Sequence, residues 1–309
     1  MTTSLVTGGA GFIGSHLVRA LLKRGDKVRV LDNFSTGKWE NLDAVSADVE
    51  IIEADLRDTD AVAASLVNVD MVFHQAAFVS VPLSMETPST CFDVNIRGTE
   101  SLLEAARKAG VQRVVFASSA AVYGESEAMP LDEETPLRPM SPYAVSKRVN
   151  EIYAQLYTRS LGLGVTALRY FNVFGPRQAP DTAYAAAIPI FIRQMLDGKA
   201  VTIYGDGGQT RDLIFVGDVV RANLMAASSD AAAGGIFNIC TGRETGILDL
   251  IESLFNIFPN APRPIFDAPR AGDIYRSVGS PKRAKELFAF KAQTTLDDGM
   301  KETAAWMMD

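Results

Sequence analysis

The run Thr7-Gly8-Gly9-Ala10-Gly11-Phe12-Ile13-Gly14 constrains this chain more than any other segment. It follows a short apolar stretch, Ser4 to Thr7, that reads as a buried strand. It opens a segment, Gly14 to Arg24, whose Leu17, Val18, Leu21 and Leu22 fall on one side of a helix. Gly8 permits a tight turn, Gly11 lets the backbone come close to a pyrophosphate, and Gly14 lets the helix pack near the sheet. The helix N-terminus, with Phe12 and Ile13 in its first turn, then faces the phosphates. A glycine-rich loop alone is common, but one set between a strand and a helix points to a bound dinucleotide. Asp32 ends the second strand, where an acid accepts hydrogen bonds from an adenosine ribose. An acid there also repels a 2′-phosphate, which favours NAD over NADP. Asp55 and Leu56, after the third strand, are candidates for the adenine edge.

Strand and helix patterns alternate through the first half. Strands are expected at Ser4 to Thr7, Lys27 to Leu31, Glu50 to Glu53, Asp70 to His74, Val111 to Ala117 and Val165 to Tyr170. Helices are expected at Asp58 to Leu66, Asn95 to Ala109 and Pro142 to Leu161. This alternation predicts an α/β fold with a doubly wound parallel sheet and ligands beyond the carboxyl ends of its strands. Past about Pro176 the pattern loosens, with helices at Ile188 to Leu196, Val219 to Ala227 and Ile247 to Phe255 between short strands. The expected division is a dinucleotide-binding domain over 1–174 and a smaller α+β substrate domain over 175–309, with some segments returning to the first sheet.

The formal net charge is −7 and no block of five basic residues occurs, which argues against nucleic acid or an anionic membrane as the main partner. Cys91 and Cys240 sit in apolar stretches and suggest no disulfide framework. With His16 and His74 as the only histidines, no metal site is expected. No apolar run reaches membrane-spanning length and the N-terminus lacks a signal pattern, so a cytoplasmic protein is expected.

Ser141-Pro142-Tyr143-Ala144-Val145-Ser146-Lys147 reads as a capped helix start. The i, i+4 spacing puts Tyr143 and Lys147 on one face. A lysine ammonium one turn away, with a positive nicotinamide, favours the phenolate and is expected to lower the tyrosine pKa toward that of a working base. Upstream, Val114 to Ala117 is a buried strand that ends in Ser118 and Ser119, placing hydroxyls at the same crevice.

Together, Gly8, Gly11, Gly14, Asp32, Ser119, Tyr143 and Lys147 resemble the extended short-chain dehydrogenase/reductase family, over almost the whole chain, and most nearly its nucleotide-sugar 4-epimerases. Asp32-Asn33-Phe34-Ser35-Thr36-Gly37 is similar to that family's ribose-binding loop. His74-Gln75-Ala76-Ala77 with Ser80-Val81 is similar to the segment over the cofactor, and Asn95 to the helix asparagine behind it. Arg169-Tyr170-Phe171-Asn172 is similar to the strand leading to the substrate. Tyr204 to Asp212 is similar to the uridine and diphosphate loop, and Arg270-Ala271-Gly272-Asp273 to later diphosphate and ribose contacts. The resemblance thus implies a Rossmann-type fold with bound NAD contacted by Gln75, Ala76, Ala77, Asn95, Ser118, Tyr170 and Phe171 as well. It implies a UDP-sugar held by Ser80, Val81, Asn172, Ala187, Ile188, Ile203, Tyr204, Arg211, Arg270, Asp273 and Ser277. Arg211 and Arg270 suit a diphosphate as bidentate partners.

Relatives that eliminate water or carbon dioxide carry acids just after the strand-end serine, whereas this chain has Ala120-Ala121 and no acid until Glu125. Elimination needs a positioned acid or base, so oxidation and re-reduction at one carbon is the expected reaction. By the resemblance, Tyr143 takes the C4 proton, Ser119 holds the C4 oxygen and Lys147 holds the nicotinamide ribose. Ser277 falls at the family's sugar gate, where a small residue leaves room for an N-acetyl group. The resemblance therefore implies UDP-GlcNAc/UDP-GalNAc 4-epimerisation, with UDP-Glc/UDP-Gal also accepted. The alternatives are a UDP-uronic acid 4-epimerase and a non-catalytic dinucleotide-binding scaffold. Family analogy also suggests a homodimer through Asn95 to Ala109 and Pro142 to Leu161.

Overall fold

The computed structural model describes residues 1–180, 187–269 and 274–308. Arg270 and Asp273 therefore lie outside the described residues. In the first half, β1 (Thr3–Thr7) leads into α1 (Phe12–Arg24), and β2 (Lys27–Asp32) is followed by β3 (Val49–Glu53), α2 (Thr59–Ser65) and β4 (Met71–His74). Then come α3 (Val81–Glu86), α4 (Pro88–Phe92), α5 (Gly98–Ala109), β5 (Arg113–Ser119), α6 (Pro142–Ser160) and β6 (Gly164–Tyr170). The second half holds β7 (Asn172–Phe174), α7 (Ala187–Leu196), β8 (Thr202–Tyr204), β9 (Thr210–Arg211), β10 (Leu213–Phe215) and α8 (Val216–Ala227). After these come β11 (Ile236–Ile239), β12 (Thr245–Gly246), α9 (Ile247–Ile257), β13 (Ile265–Asp267), β14 (Arg276–Ser277), α10 (Lys282–Phe288) and α11 (Leu296–Met308).

Seven parallel strands form the main sheet in the order β11-β6-β5-β4-β1-β2-β3. The order reverses at β1 and β4, which opens a crevice at their carboxyl ends. Strand alternation assigns side chains to two cores. Val6, Val30, Val115 and Leu168 pack with α1, α8 and α10, while Leu5, Leu31, Val114, Phe116 and Ala167 pack with α2, α5 and α6. A third core, built on Phe174, Phe191, Ile192, Phe215, Leu254 and Met300, holds the elements of the second half together.

Two features differ from the sequence expectation. The helix expected from Asn95 begins at Pro88 and runs to Ala109, with a π-helical turn at Asp93–Arg97. A short helix, α3, precedes it and is capped by the Ser80 hydroxyl, which accepts from Leu83 N at 3.2 Å. The sheet takes its seventh strand from residues 236–239, hydrogen-bonded in parallel to β6.

Candidate active site

The glycine turn is built by close approach. Gly8 adopts φ +69°, and a Cβ there would lie 2.6 Å from Ala76 N. A Cβ on Gly14 would lie 2.0 Å from Gly8 O. Gly9, which the sequence reading passed over, is pressed against the Val30 side chain. Gly11 differs, because a Cβ there would meet only Gly8 O, at 3.2 Å. That contact is tight but single, and the first turn of α1 has no side-chain cap. Uncapped amides beside a glycine backbone form a cradle for an anionic group.

The 33–38 loop closes over this turn. Ala10 N donates to Asp32 Oδ2 at 2.9 Å, Phe34 N to Asp32 Oδ1 at 2.8 Å, and Lys38 N to Ala10 O at 3.0 Å. Gly37 lies so close that a Cβ would meet Asp32 and Ala10. Phe34, at φ +54°, stacks on Trp39 with ring centres 4.0 Å apart. Asn33 bridges Ser35 and Asp55, Thr36 is exposed, and Arg57 forks onto Asp55, holding that carboxyl well below the usual range. Burial pushes Asp32 upward while its two backbone bonds oppose this.

Across the crevice, Gln75 N donates to Thr7 O and Ala76 N to Thr7 Oγ1. The side chain of Asn95 zips the next segment: its Oδ1 accepts from Phe78 N at 2.7 Å, and its Nδ2 donates to Phe78 O and to Ser146 Oγ. Asn95 lies in the π turn, and Asn150 Nδ2 donates to its carbonyl at 2.9 Å.

Ser119, Tyr143 and Lys147 meet at the carboxyl end of β5. Ser119 caps a 3₁₀ turn over Ala120–Tyr123, accepting from Ala121 N at 3.1 Å, and its hydroxyl faces Tyr143, where it favours the phenolate. Lys147 Nζ lies 5.7 Å from the Tyr143 ring centre and donates to Ala117 O at 2.8 Å. The lysine is buried, and its pKa falls to about 8. An ammonium carries three donors, so two remain beyond Ala117 O for ligand hydroxyls. In the protein alone burial pushes the Tyr143 phenol up, and Ser119 only partly offsets this; the expected depression counts on the positive nicotinamide as well. Helical spacing brings the two groups together, but the dry surroundings set the direction of the shift.

A family model described as the NAD dependent epimerase/dehydratase family matches residues 4–240. The chain belongs to that family. NAD is accordingly its cofactor, and the cradle at Gly11 with the uncommitted donors of Lys147 suits a dinucleotide. The chain is 42% identical over 305 residues to a putative UDP-glucose 4-epimerase of Methanocaldococcus jannaschii, covering 98% of this chain and 97% of that one. It is 39% identical to the solved UDP-N-acetylglucosamine 4-epimerase of Methanobrevibacter ruminantium, with TM-score 0.95 and coverage of 99% and 98%. It is 40% identical to the Thermus thermophilus UDP-glucose 4-epimerase solved with NAD, with TM-score 0.90 and coverage of 99% of each chain.

The other candidate residues are placed as follows. Ser118 alternates to the face opposite Ser119, and its hydroxyl donates to buried Glu151 at 2.7 Å rather than facing the crevice. Leu56, Ile188 and Ile203 place their side chains in the cores. Tyr170's hydroxyl pairs with Asn223 on α8, with Gln75 alongside, and Phe171 packs among Val122, Tyr123, Leu131 and Cys240. Asn172 donates through Nδ2 to Asp212 O at 3.3 Å. Arg211 donates to Thr210 O and pairs in register with Ser277. Ala187 is half-buried at the start of α7, Tyr204 O accepts from Gln209 Nε2, and Val81 is exposed. Asp212, Asn223, Glu151 and Ser84 were missed. Glu151 had a signal, one turn beyond Lys147 on the same helix face. Asn223 had none, since its partner lies 53 residues away.

Proposed function

We propose that this chain is an NAD-dependent UDP-hexose 4-epimerase, with UDP-N-acetylglucosamine and UDP-N-acetylgalactosamine as its preferred pair and UDP-glucose and UDP-galactose also accepted. The observation that carries the reading is the meeting of Ser119, Tyr143 and Lys147 at one strand end, followed by Ala120-Ala121 and no carboxylate. Residues 1–174, with α8 and β11, hold the cofactor, and the remainder of 175–309 holds the nucleotide.

When bound, NAD supplies a hydride acceptor and donor at the sugar C4. Tyr143 takes the C4 hydroxyl proton and gives it back. Ser119, which faces Tyr143, holds the C4 oxygen, and Lys147 directs its two remaining donors to the nicotinamide ribose. With no acid beside Ser119 to expel water, the 4-keto sugar stays intact until it is reduced on its other face. Arg211 holds the diphosphate. The substrate choice is supported by Ser277, which is half-buried and pairs beside Arg211, where its small side chain leaves room for an N-acetyl group.

A homodimer completes the reading. Val145, Ile152 and Leu156 share one face of α6 and are exposed, and Phe92 and Met140 adjoin Val145. A second copy of this chain would cover them.

Incubation with each UDP-sugar and no added cofactor, followed by proton NMR of the C4 epimers, tests the function. Interconversion of the N-acetylated pair is expected. Interconversion of UDP-uronic acids alone would replace this reading, and purified protein with neither bound NAD nor any interconversion would end it. Ser277→Tyr should abolish N-acetyl turnover selectively; an equal response of both sugar classes would sink the gate assignment.

A further inference from the structure

The N–H of Tyr143 sits in the first turn of α6, where no carbonyl of its own helix can accept it. Ser141 Oγ takes the N–H of Ala144 at 3.1 Å, and Pro142 has none to give. Tyr143 N finds its acceptor on another element, donating to Ser84 Oγ of α3 at 3.3 Å. Ser84 is fully buried and spends its single proton on Val81 O at 2.6 Å, so it faces Tyr143 as an acceptor. Donating on one side makes a hydroxyl the better acceptor on the other. The carbonyl of Tyr143 is held as well: Ser146 Oγ donates to it at 2.7 Å and itself accepts from Asn95 Nδ2 at 2.9 Å. The N–H of Tyr143 is thus tied directly to α3, whereas its carbonyl is held within α6 by Ser146, which Asn95 of the π turn holds in turn.

The two ties differ in what lies behind them. Asn95 is anchored to the Phe78 backbone beside the cofactor crevice. Ser84 belongs to the short helix that begins with Ser80 and Val81, the residues assigned above to the sugar pocket. We propose that Ser84 is a positioning residue, which registers Tyr143 against the sugar-side helix through the chain Val81 O, Ser84 Oγ, Tyr143 N. The inference rests on the acid–base role proposed for Tyr143. Ser84 touches neither sugar nor cofactor in this scheme. It acts by fixing the direction of the Tyr143 side chain toward Ser119, so its loss weakens turnover more than binding.

The test uses Ser84→Ala, Tyr143→Phe and the double variant in the full chain. Ser84→Ala should lower kcat for the UDP-sugar about tenfold and leave KM within about twofold, and it should have no further effect in the Tyr143→Phe background. Hydrogen exchange of the Tyr143 amide, read by NMR, should speed up about tenfold in Ser84→Ala. The amide readout needs no turnover. If wild-type protein interconverts no UDP-sugar, the functional reading fails while amide exchange still decides the Ser84 tie. Unchanged kcat, equal losses in both backgrounds, or unchanged amide exchange would each overturn the proposal.

Discussion

The Ser118 hydroxyl and the Glu151 carboxylate lie 2.7 Å apart in the interior behind the carboxyl end of β5. Glu151 also takes a forked pair of bonds from Arg169, at 2.7 and 2.9 Å, and Arg169 reaches on to Tyr123 OH at 2.8 Å. Glu151 of α6 therefore joins strand β5, through the Ser118 hydroxyl, to strand β6, through the Arg169 ion pair, on the reverse side of the strand that presents Ser119. Removing one member of such a pair leaves the other charged and buried. Glu151→Ala is expected to cost about 3–5 kcal/mol in urea unfolding, with loss of turnover following loss of fold. A cost near zero would mean the pair carries no structural weight.

The turn glycines separate fold from cofactor. Gly14→Ala drives a Cβ to 2.0 Å from Gly8 O and should lower both the thermal midpoint and NAD content. Gly11→Ala meets only Gly8 O at 3.2 Å, so the fold should survive while bound NAD is lost. Calorimetry paired with NAD quantitation checks this. Equal thermal losses in the two variants would contradict it.

Buried His74 and half-buried His16 give the chain an acid weakness. Burial draws His74 from 6.5 to about 3 and His16 to about 4. Between those values and 6.5 the unfolded chain binds more protons than the folded one, so stability is full above pH 6.5 and drains as pH falls through that window. His74 bridges Thr7 and Thr99, so His74→Gln should be less stable at neutral pH yet lose less on acidification. Unfolding midpoints across the acid range read both effects.

The apolar face of α6 predicts association. Ile152→Glu combined with Leu156→Glu should convert a dimer to a monomer in light scattering, with secondary structure unchanged. A wild-type protein that is monomeric at micromolar concentration would rule out this face as a dimer contact.

What was legible in the sequence is what local sterics and periodicity decide. The Gly8/Gly11/Gly14 turn, the six strands of the first half and the Tyr143–Lys147 face all follow from spacing within a few residues. Ser118 could have been set apart from Ser119 by counting the two-residue alternation from buried Val115. Ile188 could have been read as core from its helical spacing to Ile192 and Met195. The upward push on Tyr143 was not legible, because it depends on the surroundings that segments far apart in sequence build around one hydroxyl. The same holds for Glu151–Arg169 and for Ser84, whose partner is 59 residues away.

The seventh strand sets an order of events on the ribosome. Strand β6 pairs with β5 on one side and with Ile236–Ile239 on the other. While a nascent chain extends only to about residue 180, an apolar strand edge stays unpaired, and such edges recruit other chains. The nucleotide crevice then exists in outline well before its sheet is closed. Synthesis of roughly sixty more residues separates the two moments, and through that interval the outer edge of β6 is uncovered.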